Sequence, residues 1–188
     1  MKNRKSGETV GAFCTWMRSV GISYTRDAID IVGTSPGTLS IVAVDDVPEE
    51  VILASIPKEA CITVRTTKIS DILEEEGLAG GLGLVISVWY EKRIGKASRW
   101  SGYFDSLLDR EELPIFWGEK EMALLQGTEI QPATVESDRD DVLDDYRGHV
   151  MPLVEKYPDA FGQILENDES LFVDAASLVA SRAFGVDD

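Results

Sequence analysis

Ser98 to Gln131 reads SRWSGYFDSLLDREELPIFWGEKEMALLQGTEIQ, and the meaning of the whole chain turns on this stretch. It sets Trp100, Tyr103, Phe104, Phe116 and Trp117 among charged residues and closes on LLQGTE. Trp100, Tyr103, Phe104 and Leu107 fall at i, i+3, i+4 and i+7, which is one face of a helix. Large aromatics at that spacing are core residues as a rule. In a segment that flanks a cleft, Trp100, Tyr103 and Trp117 also suit the wall of a channel for a substrate side chain.

Outward from that stretch the texture differs on the two sides. Upstream, Leu82, Val85, Ile86 and Trp89 repeat the helical spacing before Lys92, Arg93 and Gly95. Gly80-Gly81-Leu82-Gly83 lacks the dinucleotide-binding fingerprint and reads as the end of one helix and the start of the next. Farther upstream, Ala28 to Val32, Thr38 to Val44, Val51 to Ile56 and Cys61 to Val64 are short, rich in β-branched residues and separated by turn material, so they predict a small antiparallel β unit. Val10, Phe13, Met17 and Val20 predict an opening helix that stops at Gly21. Downstream, Ser137 to Tyr157 predicts a helix that buries Val142, Tyr146, Val150 and Leu153 and ends at Pro158. Ser170 to Phe184 predicts a last helix. The change from strand-rich to helical texture falls at about Lys68, as in an α+β fold.

With 188 residues, the chain can bury one core with an insert. Thirty-four acidic residues against 18 basic ones give a formal net charge of −16, which argues against direct nucleic-acid binding and against anionic membrane surfaces, and favours encounter with basic targets. Cys14, Cys61 and the single His149 exclude a disulfide scaffold and an ordinary Cys/His zinc site. No stretch of eighteen or more apolar residues occurs, and MKNRKSGETV does not read as a signal peptide, so a nuclear or cytoplasmic address is expected ahead of a chloroplast one. His149 has no positioned partner for general-base work and is expected to be a partly buried structural residue. Glu136, Asp138, Asp140, Asp141, Asp144 and Asp145 lack the offsets of a calcium loop and read as a solvated helix face, with docking of a basic partner as the alternative.

The pieces together resemble the Rubisco-methyltransferase-like branch of SET-domain proteins. Trp16 in the opening helix, the PGTLSIVA turn and strand from Pro36 to Ala43, Ile56-Pro57-Lys58, then SRW..YF, FW..KEM, LLQGTE and LVASRAF from Leu178 to Phe184 follow that branch in order and spacing. The resemblance implies a partial SET domain: an N-terminal helix and first β part over residues 1–68, a helical SET insert over 69–170, and a return helix to the SET core over 171–188. It implies protein-lysine N-methyl transfer from S-adenosyl-L-methionine to a lysine-containing protein. A neutral lysine amine would displace the sulfonium-bound methyl. Since a free lysine has a pKa near ~10.4, the site must strip its proton and hold it in line.

By the same resemblance, Gly37, Thr38 and Leu39 fall where the family's backbone contacts the cofactor, although Ser35-Pro36 replaces the commoner acidic residue there. Ser181 and Arg182 fall where the chain approaches cofactor and target lysine. Arg182 suits a cofactor carboxylate or, alternatively, a nearby acid of the chain itself. Trp100, Tyr103 and Ser181 are the substrate-side candidates. The family's Asn-His motif and catalytic tyrosine follow the SRAF segment, and neither occurs before Asp188. Tyr24, Tyr90, Tyr103, Tyr146 and Tyr157 all lie upstream, so no catalytic residue is assigned and no metal site is expected. The sequence therefore predicts a truncated, weakly active or inactive methyltransferase, or else a non-catalytic fragment that holds a basic partner. It also predicts apolar surface without partners on the β unit and at Leu178 and Val179.

Overall fold

Ile86 and Trp89, both fully buried, set the architecture. They lie on helix α3 (Gly80–Arg93), in which every residue from Ile86 to Glu91 is buried. The computed structural model describes residues 2–35 and 38–185. Within it α3 packs along α9 (Asp168–Arg182), which contributes Phe172, Ala175 and Leu178 to the core. Rings close the remaining space: Trp89 stacks on Phe161 at 6.0 Å, Tyr90 meets Phe161 edge-on at 5.5 Å, and Tyr146 tilts against Phe172 at 5.7 Å. Burial of such aromatics is the largest apolar contribution available to a core of this size.

Two buried carboxylates brace this helical body. Glu91 accepts hydrogen bonds from Thr67 Oγ1 at 3.0 Å, the Lys68 backbone N–H at 3.1 Å and Ser98 Oγ at 2.6 Å. Asp168 accepts from Arg93 Nε at 2.8 Å and from the Leu165 backbone N–H at 2.7 Å. Arg93 donates further to the Phe161 and Gln163 carbonyls. Both acids are thus satisfied, as buried charge requires.

The opening helix α1 (Lys2–Ser19) ends as its sequence predicts. Gly21 adopts φ +80°, which an L side chain resists, and the Ile22 N–H closes back on the Met17 carbonyl at 2.9 Å. The strands β1 (Ser23–Tyr24), β2 (Ile29–Ser35), β3 (Thr38–Ala43) and β4 (Ala54–Ser55) form two antiparallel ladders, β1 with β4 and β2 with β3. In the second, Ile29 faces Ala43 and Ile31 faces Ile41, and β2 packs on α1. The α+β class expected from sequence is what the chain adopts.

Several local expectations change. Cys61 to Val64 is a turn and not a strand, because Thr66 Oγ1 bonds the Cys61 carbonyl at 2.8 Å and receives the Thr63 N–H at 2.9 Å. Of Val51 to Ile56 only Ala54–Ser55 pairs. The helix expected from Ser137 starts earlier: α6 (Pro132–Asp145) has Pro132 in its first turn, where a missing N–H costs nothing. It continues through a π-turn at Tyr146–Val150 into α7 (Met151–Lys156), which α8 (Pro158–Phe161) follows, while the short α5 (Glu119–Met122) precedes α6. Pro152 explains the widened turn, since it cannot donate an i→i−4 bond and its ring would press on the carbonyl four residues back. His149, on that turn, is exposed rather than partly buried, with Asp145 at 4.0 Å. Leu178, expected to lack partners, is buried, and Val179 packs against the core. Along the strands the expectation holds: Ile41, Val44, Ile52 and Ile56 are exposed.

Candidate functional site

Helix α2 (Ser70–Glu75) precedes α3, and a single turn of helix, α4 (Ser101–Phe104), follows it. Gly102 in α4 is required by a close approach: a Cβ there would stand 2.5 Å from the Cβ of Trp16 in α1. The Trp16 indole N–H also donates to the Arg99 carbonyl at 2.8 Å. These two contacts seat α4 on α1 and create a line of rings. Phe13, Trp16, Tyr103 and Phe104 follow one another with centroids 5.6, 5.7 and 5.8 Å apart.

Tyr103 is half-buried and lies within electrostatic reach of the end of α9. Burial raises its phenol pKa, the Arg182 guanidinium lowers it, and the Glu111 carboxylate raises it. Arg182 donates through Nη1 to Ser181 Oγ at 2.8 Å and through Nη2 to the Glu111 carboxylate. Ser181 Oγ donates to the Leu178 carbonyl at 3.1 Å. Glu111 is tethered by its backbone as well, its N–H donating at 3.1 Å to Oγ of Ser177, which is fully buried. Two residues before it, the Asp109 carbonyl receives Lys92 Nζ at 2.6 Å, and burial pushes the Lys92 pKa down. The result is a hydroxyl and a guanidinium bonded to one another at the end of α9, with a carboxylate fixed on the guanidinium and the Tyr103 phenol within electrostatic reach.

No family model matches the chain. It is 32% identical over 187 residues to N-lysine methyltransferase SETD6 of Mus musculus, an alignment covering 95% of this chain and 39% of the relative. To N-lysine methyltransferase setd6 of Xenopus tropicalis it is 32% identical over 163 residues, covering 81% of this chain and 35% of the relative. Its fold matches the SET domain of LSMT bound to lysine and AdoHcy with a TM-score of 0.78 at 23% identity, covering 95% of this chain and 40% of that one. Rubisco LSMT bound to sinefungin and monomethyllysine gives 0.77, at 23% identity, over 94% and 41%. The chain therefore has the fold of the SET domain of LSMT and is similar in sequence to N-lysine methyltransferases named SETD6 over most of its own length. It spans about two fifths of the length of the curated SET-domain relatives it matches.

Of the residues singled out by resemblance to the SET family, the structure bonds Ser181 to Arg182, and Tyr103 lies within electrostatic reach of Arg182. Trp100 lies inside the fold: it is 1% exposed and its indole N–H donates to the Ala60 carbonyl at 2.8 Å, so it is an internal brace and meets no solvent-borne group. Thr38 and Leu39 begin β3 and pair with Ser35 and Gly33. They connect to the ring line through α1, which packs on β2 and on α4. Gly37 lies outside the described residues. Trp117 is half-buried at the end of a 3-10 turn (Pro114–Phe116).

Sequence reasoning did not single out Glu111. Its partner Arg182 is 71 residues away, and no periodicity joins them. The one signal was an acidic pair, Glu111-Glu112, placed just before Leu113-Pro114 in an otherwise aromatic stretch. Among the described residues no group of three or more His, Cys, Asp or Glu is placed to hold a metal ion. No helix among them is long and apolar enough to cross a membrane.

Proposed function

We propose that this chain forms the cofactor- and lysine-facing part of a protein-lysine N-methyltransferase that uses S-adenosyl-L-methionine. The observation that carries the reading is the bonded pair Ser181 and Arg182 at the end of α9, which the SET resemblance places at the cofactor and the target lysine, with Tyr103 within electrostatic reach. The relatives are named N-lysine methyltransferases, and the structural neighbours hold AdoMet, AdoHcy or sinefungin, with lysine or monomethyllysine in some. The donor set fits the amino-acid end of such a cofactor, because a half-exposed guanidinium beside a hydroxyl suits a carboxylate. When bound, the cofactor supplies a sulfonium methyl for transfer to an amine.

In this reading Arg182 orients the cofactor carboxylate. Ser181 and the half-buried Tyr103 line the approach of the lysine, Trp100 supports them, and the backbone at Gly37, Thr38 and Leu39 borders the cofactor. Residues 1–68 serve as the helix and first β part, 69–170 as the insert and 171–188 as the return segment. The substrate is a lysine-containing protein met in the nucleus or cytoplasm. Calorimetric titration with S-adenosyl-L-methionine, followed by labelled methyl transfer to lysine peptides, tests the reading; micromolar binding is expected, and no heat at millimolar cofactor overturns cofactor binding by this chain. A second reading, a module that holds a basic protein without transferring methyl groups, is favoured by the exposed acids Glu136, Asp138, Asp140, Asp141 and Asp144 on α6. It predicts salt-sensitive peptide binding that added cofactor leaves unchanged.

A further inference from the structure

We infer that Glu111 is a positioning residue: it holds the Arg182 guanidinium beside Ser181 and so fixes where the site presents its positive charge. The inference rests on the proposed role of Arg182 and adds a residue that the family resemblance did not assign.

Arg182 is the last residue of α9, where a long side chain left alone would sample many rotamers in solvent. Here it is held from two sides, by Ser181 Oγ and by the Glu111 carboxylate. A carboxylate positions an arginine only if it cannot follow the arginine away. Glu111 meets that condition, since its own N–H is tied to the fully buried Ser177 and the Asp109 carbonyl is tied to Lys92. Segment 109–111 is therefore pinned to both α9 and α3. Both side chains of the pair are about one third exposed, so the pair is reachable by a ligand yet less screened than a surface ion pair. The guanidinium carries five N–H donors, and the two bonds described here leave others for the carboxylate of a ligand. Glu111 thus orients the fork while leaving it able to bind.

A double-mutant cycle on the whole chain tests this, read by the titration of Tyr103 in ring-labelled protein, with Tyr103→Phe assigning the resonance. Arg182→Gln is expected to raise the Tyr103 midpoint, because a nearby positive charge is lost. In a Glu111→Gln background the same change is expected to move it less, since Arg182 is no longer held in place. Equal displacements in the two backgrounds overturn the inference. Thermal melts confirm that each variant is folded, and Glu111→Asp is expected to restore part of the coupling. Calorimetry with S-adenosyl-L-methionine forms a separate arm: where the parent chain binds, Glu111→Gln is expected to weaken binding about tenfold, or 1.4 kcal/mol. A parent chain that does not bind counts against the cofactor reading, while the titration cycle still decides the role of Glu111.

Discussion

Gly102 shows how one residue's absence of a side chain shapes the site. Its Cα faces Trp16 at a distance that leaves no place for a methyl group, so Gly102→Ala must push α4 away from α1. A loss of about 1–3 kcal/mol is expected in urea unfolding, together with an altered near-ultraviolet signal from Trp16 and Tyr103. At the surface, Glu76 accepts from both Lys156 Nζ and the Tyr157 hydroxyl, and these bonds hold its pKa below the usual 4.5. A carboxylate with a lowered folded pKa contributes stability above its unfolded pKa, and that stability disappears as pH falls through the folded value. Glu76→Gln is therefore expected to lower the melting temperature at neutral pH and to converge with the parent chain in acid, as melts between pH 7 and pH 3 will show.

Among elements, the pairing of α3 with α9 matters most, because it joins the core to the helix that delivers Ser181 and Arg182. Apolar packing and the Arg93–Asp168 pair both hold it, the latter with side chains 9% and 0% exposed. Removing one partner of a buried pair strands the other, so Asp168→Ala is expected to cost about 3–5 kcal/mol in chemical denaturation. Replacing both partners with apolar residues of similar shape is expected to cost much less. The periodic helices were legible from sequence because their spacing is local: Ile86 and Trp89 on α3 and Leu178 on α9 face the core as their stripes imply. The β-branched run from Cys61 to Val64 misled, since Thr63 and Thr66 bond the nearby backbone with their hydroxyls, a competition that composition does not reveal.

For the whole molecule, the uneven distribution of apolar surface has consequences. The segment from Ile41 to Ile56 leaves Ile41 69%, Ile52 74% and Ile56 57% exposed, and outside it Leu124 and Phe184 are exposed as well. A face of this kind attracts hydrophobic dyes and promotes association. The isolated chain is expected to bind such a dye while its helical core still melts cooperatively. Ile41→Thr with Ile52→Thr should reduce dye binding with little change in the melt, since neither side chain is part of the core.

The sequence by itself determined the α+β class, the likeness to SET-domain methyltransferases and the faces of the main helices, and it drew attention to Ser181 and Arg182. Each depends on short motifs or on spacing within one element, which neighbouring residues alone specify. Only the tertiary structure decided that Trp100 is an internal brace, that Glu91 and Asp168 are buried acids with complete sets of donors, and that Glu111 holds Arg182. Those facts are bonds between residues far apart in the chain, formed only when the insert folds back over α3 and α9. A charged residue reads the same in a sequence whether it meets water or a partner, and folding settles which.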